Sequence, residues 1–530
     1  MTRLFIFLVW CLSSVYCNRN NPVSPPDIST TVPVSPENGA ITDHFSPSFS
    51  WQAVDGALGY HFQLDKDSTF SAPLVDSTGI QNNTYLCRDT LPNDAYFWRV
   101  RVQHTNGVWS SWSVVYELKI AWSPGARIAV FADPHVYDPS LGIAGPAFEN
   151  YVSRDRKMIA ESKAILEAVI SAVGNTQPDI VLIPGDLTKD GELASHQLVA
   201  AALGRLEDTG AQVFVVPGNH DVANPNAFQY AGETAAPAAN ITAGDFENIY
   251  RDFGYDQALS RDPGSLSYVA EPVYGLWILA MDPCRYKENT DHAVTGGAFS
   301  SETLGWIYDR LRQARELNKQ VLGMMHHGVI EHFEGQSFLF PDFVVNNWHV
   351  LCPAFADSGM HLVFTGHFHA QDIVKKETAS SFIFDIETGS TVTWPCPWRL
   401  MTLSGRTLTI SSRFIGEIDA DTGSLSFPEY ARACLVSGVE AIILDVLTEN
   451  LGMTAASAGP LVPFLSEAVM AHFAGDEVMP QETAAFIEQL TSGGDLYEML
   501  AGNALNAIYD DPPPADNDIE IDLQTGVVSL

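Results

Sequence analysis

Val213-Phe214-Val215-Val216-Pro217-Gly218-Asn219-His220-Asp221 is a short apolar run that breaks at Pro-Gly and then delivers an amide, an imidazole and a carboxylate. Four other apolar runs end the same way. Ile128-Ala129-Val130-Phe131 stops at Asp133-Pro134-His135, and Ile180-Val181-Leu182-Ile183 stops at Gly185-Asp186. Val321 to Met325 stops at His326-His327, and Leu362-Val363-Phe364 stops at Gly366-His367-Phe368-His369. Short buried strands that each present such a group at their C-terminal ends describe a metal site on the rim of a sheet.

Between these runs the pattern turns helical. Asp155 to Val173 carries apolar residues at 158, 159, 165, 166, 169, 170 and 173, which predicts one helical face. Strands alternating with helices from 126 to about 395 predict an α/β layered sandwich. Arg399–Thr402 and Thr407–Ile410, with Ser404-Gly405 between them, read as a hairpin closing this domain, placed at 125–415.

The flanks differ in texture. Residues 1–17 read as an export signal, with Arg3, a short apolar core and a small-residue end at Ser13-Ser14-Val15-Tyr16-Cys17. Cys17 is either a lipid-bearing residue or the neighbour of an ordinary cleavage site, so the expectation is an exported protein: periplasmic, surface-anchored or secreted. Residues 18–35 read as a Pro/Ser/Asn-rich linker. From 36 to 122 the pattern is all-β, with alternation in Ser48–Trp51, Gly59–Leu64 and Tyr96–Val102. The Trp on an early strand and Trp112-Ser113 before the last one resemble a fibronectin type III sandwich. Residues 427–508 are Ala/Leu/Glu-rich and helical, and 509–530 read as an acidic, mobile tail.

Composition bounds the partners. With 530 residues, 46% hydrophobic and 17% charged, the chain is a folded multidomain protein. Its net charge of −36 argues against nucleic acid polymers, which need Lys and Arg in quantity, and against anionic lipid. Membrane contact is expected only through a lipid on Cys17. Cys87, Cys284, Cys352, Cys396 and Cys434 form no CxxC pair and no disulfide framework. Nothing in the sequence sets the oligomeric state.

The polar strand ends combine into a site. Asp133 and His135 stand two apart and in extended backbone project to one side. Asp186 can bridge two cations, Asn219 offers a neutral oxygen, and His326, His367 and His369 add imidazoles. Mixed N and O donors suit Mn, Fe, Zn or Co better than Ca or Mg. Two such ions about 3.5–4 Å apart polarise a phosphoryl group, generate hydroxide at neutral pH and stabilise in-line displacement.

Taken in order, D-x-H, G-D, G-N-H-D, a lone H and G-H-x-H resemble the calcineurin-like metallophosphoesterase family. The resemblance implies one ion held by Asp133, His135, Asp186 and His369 and a second held by Asp186, Asn219, His326 and His367. It implies His326 rather than His327 as ligand, and His220 as the catalytic histidine, with Asp221 orienting it or a neighbouring loop. Asp155-Arg156-Lys157-Met158, Gly185–Glu192 and Asn224-Pro225 resemble a subgroup of exported bacterial phosphodiesterases related to class III cyclic nucleotide phosphodiesterases. In that reading His196, Asn224 and His327 lie near substrate or brace their loops. His292, His332, His349 and His361 carry no functional reading.

The expected activity is hydrolysis of a small phosphodiester, a cyclic nucleotide or glycerophosphodiester, by metal-bound hydroxide. A phosphomonoesterase of the purple acid phosphatase type is the alternative, though that family resemblance requires a tyrosine ligand where this chain has Lys189, D-x-G in place of Asp133-Pro134-His135, and Glu in place of Asp221. A nucleotidase and an inactive surface-binding protein are further alternatives. The second lacks support because the ligand set is complete.

Overall fold

The computed structural model describes residues 30–42, 46–88, 91–121, 125–153, 155–450, 452–493 and 496–529. The export segment, Cys17 and most of the 18–35 linker lie outside them. The chain divides into two units, 1–122 and 123–530.

The first unit is all-β. Pro33–Ser35, Ser48–Trp51 and Thr84–Leu86 form a three-stranded sheet. A five-stranded sheet runs Ala40–Thr42, Tyr116–Ile120, Asp94–His104, Ala57–Asp65, Val75–Ile80. Alternation along Asp94–His104 buries Tyr96, Trp98, Val100 and Val102. On the opposite face the guanidinium groups of Arg99 and Arg101 each lie 4.4 Å from the Trp112 ring. The expected linker therefore ends early. Pro33 pairs with Trp51 across an antiparallel edge, a position where proline, lacking an N–H, is tolerated.

In the second unit two seven-stranded sheets face each other. One runs Gln212–Val215, Ile180–Ile183, Gly125–Val130, Pro397–Ser404, Thr407–Phe414, Asp518–Asp522, Val528–Ser529. The other runs Ala258–Arg261, Tyr268–Val273, Leu276–Ala280, Gln320–Met324, Leu362–Thr365, Phe382–Glu387, Asp372–Glu377. Strands at the heart of each sheet are parallel and buried on both faces, which is why their sequences read as continuous apolar runs. Period-2 sorting assigns the faces. Ile278, Leu322, Met324, Phe364 and Phe384 join the inter-sheet core, whereas Leu279, Val321, Val363 and Ile383 pack under the helices Ser301–Glu316 and Trp348–Asp357. Helices Ser162–Asn175 and Leu193–Glu207 cover the first sheet through Ile165, Val169, Val199 and Leu203. Each fully buried residue of this kind contributes about 1.5–3 kcal/mol.

Three expectations are corrected here. The acidic terminus is not a loose tail: Asp518–Asp522 pairs antiparallel with Thr407–Phe414, burying Ile519 and Ile521. The alternation Asp-Ile-Glu-Ile-Asp carries a strand signal that the charge hides. The central domain consequently extends past 415, because its sheet is completed by residues from the end of the chain. The helix expected from Asp155 begins only at Ser162. Lys157 N–H donates to Asp155 Oδ1 at 3.0 Å and Met158 N–H to Val392 O at 2.9 Å, so residues 155–158 form a turn anchored to a neighbouring loop.

The C-terminal helices are Phe427–Asp445, continued by Val446–Asn450, then the short Ala455–Ala458, Val462–Ala474, Gln481–Ser492 and Leu496–Tyr509. Gln481–Ser492 ends before Gly493, and Leu496–Tyr509 follows as a separate helix. Their apolar faces close on one another and on Phe333 and Phe368. Among the described residues no helix is long and apolar enough to cross a membrane.

Candidate metal centre

Five parallel strands carry the donor groups just past their C-terminal ends. Gly125–Val130 leads to Asp133 and His135, Ile180–Ile183 to Asp186, and Gln212–Val215 to Asn219 and His220. The second sheet supplies His326 after Gln320–Met324, and His367 and His369 after Leu362–Thr365. Asp133, His135 and His326 are fully buried.

These turns are strained in a consistent way. Asp133, His135, Asp186, His367 and His369 have φ of 49°, 37°, 48°, 81° and 73°. The left-handed region costs a side-chain-bearing residue about 1–3 kcal/mol and persists where surrounding structure over-determines it. Close packing around the carboxylates explains two of the motif glycines. A Cβ on Gly218 would lie 2.0 Å from Asp186 Oδ1, and one on Gly366 would lie 2.2 Å from Asp133 Oδ2.

Two donor groups with no shared residue result, Asp133 with His135 and His369, and Asp186 with His326 and His367; His135, Asp186 and His220 form a third that overlaps both. His135 Nε2 and His369 Nε2 face each other at 3.1 Å. Asp186 Oδ2 lies 3.6 Å from the former and Asp133 Oδ1 3.7 Å from the latter. His326 Nε2 lies 3.2 Å from Asp186 Oδ2 and 3.0 Å from Asn219 Oδ1. Donors about 3 Å apart match the spacing around one ion with bonds of about 2.0–2.2 Å.

The electrostatics fit cations. Burial holds His135, His367 and His369 well below the usual histidine range, hence neutral, the form that ligates. Burial, reinforced by the Asp186 charge, pushes the Asp133 carboxyl up to about 8, so this pair of acids calls for positive charge between them. Second partners fix which nitrogen is presented. His326 Nδ1–H donates to Pro184 O at 2.9 Å, leaving Nε2 for the site; His367 Nε2–H donates to Asp342 O at 3.1 Å, leaving Nδ1.

A cavity of about 140 Å³ opens beside the two groups, lined by His135, Arg156, Lys157, Asp186, Asn219, His220 and both terminal histidines of the Gly366–His369 turn, with Thr295 and Phe343. The His220 side chain is 28% exposed, and its Nδ1 lies 2.8 Å from Asp190 Oδ1.

Several expected residues have other tasks. Asp221 does not line the cavity. Its carboxylate accepts from Gly218 N, Leu187 N and Thr188 N at 2.8, 3.0 and 2.9 Å, stitching two rim loops together. His196 is fully buried between Tyr250 OH and Asp221 O, both at 2.8 Å, and so cannot meet substrate. Asn224 Nδ2 donates to His220 O at 3.1 Å and Asp190 Oδ1 at 3.3 Å, a brace for the histidine loop. His327 turns away from the donor groups to Thr295 O at 2.8 Å and does not line the cavity.

Sequence reasoning missed Asp190 as the partner of His220; of the two tasks it offered Asp221, orienting that histidine or a neighbouring loop, the carboxylate takes the second. It also missed Arg156 and Lys157 as cavity cations, since their segment read as helix. The signal available was the pair of adjacent cations after Asp155 in a chain with only 28 Lys and Arg.

Residues 126–371 match the family described as Calcineurin-like phosphoesterase. That segment is a calcineurin-like phosphoesterase domain. Residues 126–371 thus form a metallophosphoesterase domain, and the donor clusters described above lie within it. Solved structures similar to it include a dimetal phosphatase from Danio rerio, 15% identical, covering 55% of this chain and 97% of that one, with a TM-score of 0.40. A purple acid phosphatase, PPD1, from yellow lupin (Lupinus luteus) is 12% identical over 72% of each chain, TM-score 0.31. An Fn3-like protein from Clostridium thermocellum is 19% identical over 18% of this chain and 93% of that one, TM-score 0.15. No curated protein matches the chain.

Proposed function

We propose that this metallophosphoesterase hydrolyses a small phosphodiester, with a 3′,5′-cyclic nucleotide or a glycerophosphodiester as the substrate class. Asp133, His135, Asp186 and His369 would hold one ion, and Asp186, Asn219, His326 and His367 the other. When bound, such ions supply Lewis acidity toward a phosphoryl oxygen and lower the pKa of water.

The observation carrying this reading is His220, held through Nδ1 by Asp190 at the cavity wall. That leaves Nε2 to hold a proton for the departing oxygen, which a basic alkoxide needs and a stabilised phenolate does not. Arg156 and Lys157 offer two positive groups to orient phosphoryl oxygens. Lys189, at the place where a purple acid phosphatase carries a tyrosine ligand, is instead buried against Asp190 and Glu192, which favours a diester over a monoester. The two cavity cations favour a monoester, because its phosphoryl group is the more highly charged; this is the second reading. Comparing kcat/KM for bis(p-nitrophenyl) phosphate, p-nitrophenyl phosphate, cyclic AMP, cyclic GMP, glycerophosphodiesters and AMP, with Mn on metal-stripped protein, decides between them. A strong preference for the monoesters overturns the diester reading.

We also propose that the enzyme acts outside the cytoplasm, on the strength of the apolar segment after Arg3. N-terminal sequencing of the protein from its own cells should find a start at or near Cys17. A mature chain that retains Met1 overturns this.

A further inference from the structure

A second buried group of carboxylates and histidines lies where the C-terminal helices meet the second sheet. Asp372 opens the strand Asp372–Glu377, His472 stands in the last turn of Val462–Ala474, and Glu477 follows that helix. Asp372 and His472 are 1% and 2% exposed, and the Glu477 side chain is 1% exposed. His472 Nδ1 lies 2.6 Å from Glu477 Oε1 and 3.6 Å from Asp372 Oδ2. Donor atoms of these three residues lie within 4.8 Å of one another, and so do those of Asp372, Asp511 and Asp516.

Charge balance here is unusual. Asp385 and Glu387 stand nearby on the strand Phe382–Glu387, both buried, so the region concentrates carboxylates around His332, His472 and Arg399. His332 answers part of this charge, with Nδ1 3.4 Å from Asp372 Oδ2 and Nε2 3.5 Å from Asp385 Oδ2. Protons answer another part: burial pushes Asp511 up to about 7 and Asp516 up to about 9. Yet Asp372 Oδ1, Glu477 Oε2, Asp511 Oδ1 and His472 Nε2 are buried with no hydrogen-bond partner. A buried polar atom without a partner costs about 1–3 kcal/mol, and more when charged. A cation set among these adjoining residues would satisfy several of them at once.

We propose that Asp372, His472 and Glu477, with Asp511 beside them, hold a third divalent metal ion that pins the C-terminal helices to the catalytic sheet. One imidazole with two or three carboxylates suits a transition ion such as Zn or Mn. Burial leaves no open coordination position for substrate, so the ion is structural. Asp372 follows His369 by three residues, so the same ion steadies the turn that carries two catalytic-site histidines.

Metal content by mass spectrometry, on full-length protein loaded with Zn or Mn, tests this. A variant combining His472→Ala and Glu477→Gln should carry one ion per chain fewer than wild type. In crystals of Asp186→Ala protein, anomalous scattering at the metal edge should place a peak between Asp372 and His472. Chelation should lower the Tm of that same variant, and added Zn or Mn should restore it. Equal metal content in wild type and double variant, or no anomalous peak at Asp372 and His472, overturns the proposal. Should the double variant fail to fold, the Asp186→Ala crystal decides alone.

Discussion

Asp190 holds two cations at once: Oδ1 lies 2.8 Å from His220 Nδ1, while Oδ2 meets the ammonium of Lys189. Burial alone would depress the His220 pKa, but the carboxylates of Asp186 and Asp190 outweigh it, and the net direction is upward. Asp190→Asn removes one of those negative charges. The alkaline limb of the kcat profile should therefore move to lower pH, and kcat on alkoxide-leaving substrates should fall about 10–100-fold, with metal content unchanged. An unmoved limb with a lowered kcat would make Asp190 a packing group only.

His220 itself can be separated from the metals by leaving group. His220→Ala should cut turnover of a cyclic nucleotide or glycerophosphodiester by about 10²–10⁴-fold, the usual yield of a general acid. Turnover of p-nitrophenyl esters should change far less, since p-nitrophenolate leaves unaided. Equal losses on both substrates, metals retained, would assign His220 to charge stabilisation.

Asp186 tests the shared-ligand arrangement. Its Oδ2 lies 3.6 Å from His135 Nε2 and 3.2 Å from His326 Nε2, the two donor groups' nearest approach to one carboxylate. Asp186→Ala should abolish activity and reduce metal at both groups, measured as ions per chain. A variant that keeps its full complement there would show the groups to be independent.

The rim of the fold was legible because its chemistry and its backbone coincide. Buried parallel strands must read as apolar runs, and a polar group just past each run has only the rim to occupy. What stayed hidden has physical reasons. Asp190 and Asp221 are both carboxylates in rim loops, and only the third dimension shows that Asp221 accepts from three backbone amides while Asp190 meets His220. Met158 and Ile159 are buried, as a helical pattern requires, but in a turn that the Asp155 side chain closes. The strand Asp518–Asp522 was hidden by its charged outer face, since Asp518, Glu520 and Asp522 dominate any count of composition.

Glu192 carries a pH signature of its own. It is buried, with Oε1 3.5 Å from Lys189 Nζ, and burial pushes its carboxyl from 4.5 up to about 7. A raised carboxyl favours the folded state in its protonated form, so this contribution is complete below pH 4.5 and is lost as pH rises through about 7. The full difference is on the order of 3 kcal/mol. Glu192→Gln keeps the neutral shape at every pH. Wild type should therefore lose more Tm than the variant between pH 5 and pH 8; parallel curves would remove Glu192 from the account.

Gly438 links the C-terminal helices to the cavity cations. It lies within the helix Phe427–Asp445, and a Cβ there would stand 2.7 Å from both Arg156 Cα and Asp155 O. Those are backbone atoms and cannot rotate aside, so Gly438→Ala must displace either the helix or the turn that carries Arg156 and Lys157. Overpacking of this kind typically costs about 1–3 kcal/mol. If the turn yields, Arg156 and Lys157 leave their places at the cavity, and KM for the phosphoester should rise several-fold while ions per chain stay constant. Arg156→Ala supplies the comparison: it should raise KM with a smaller loss of Tm, because Arg156 Nε makes no hydrogen bond, the guanidinium lies 6.0 Å from the Phe473 ring and its removal displaces no backbone. A Gly438→Ala protein with lowered Tm and unchanged KM would mean that the helix moved and the turn held, leaving the C-terminal helices as a cover over the catalytic domain with no part in setting the cavity.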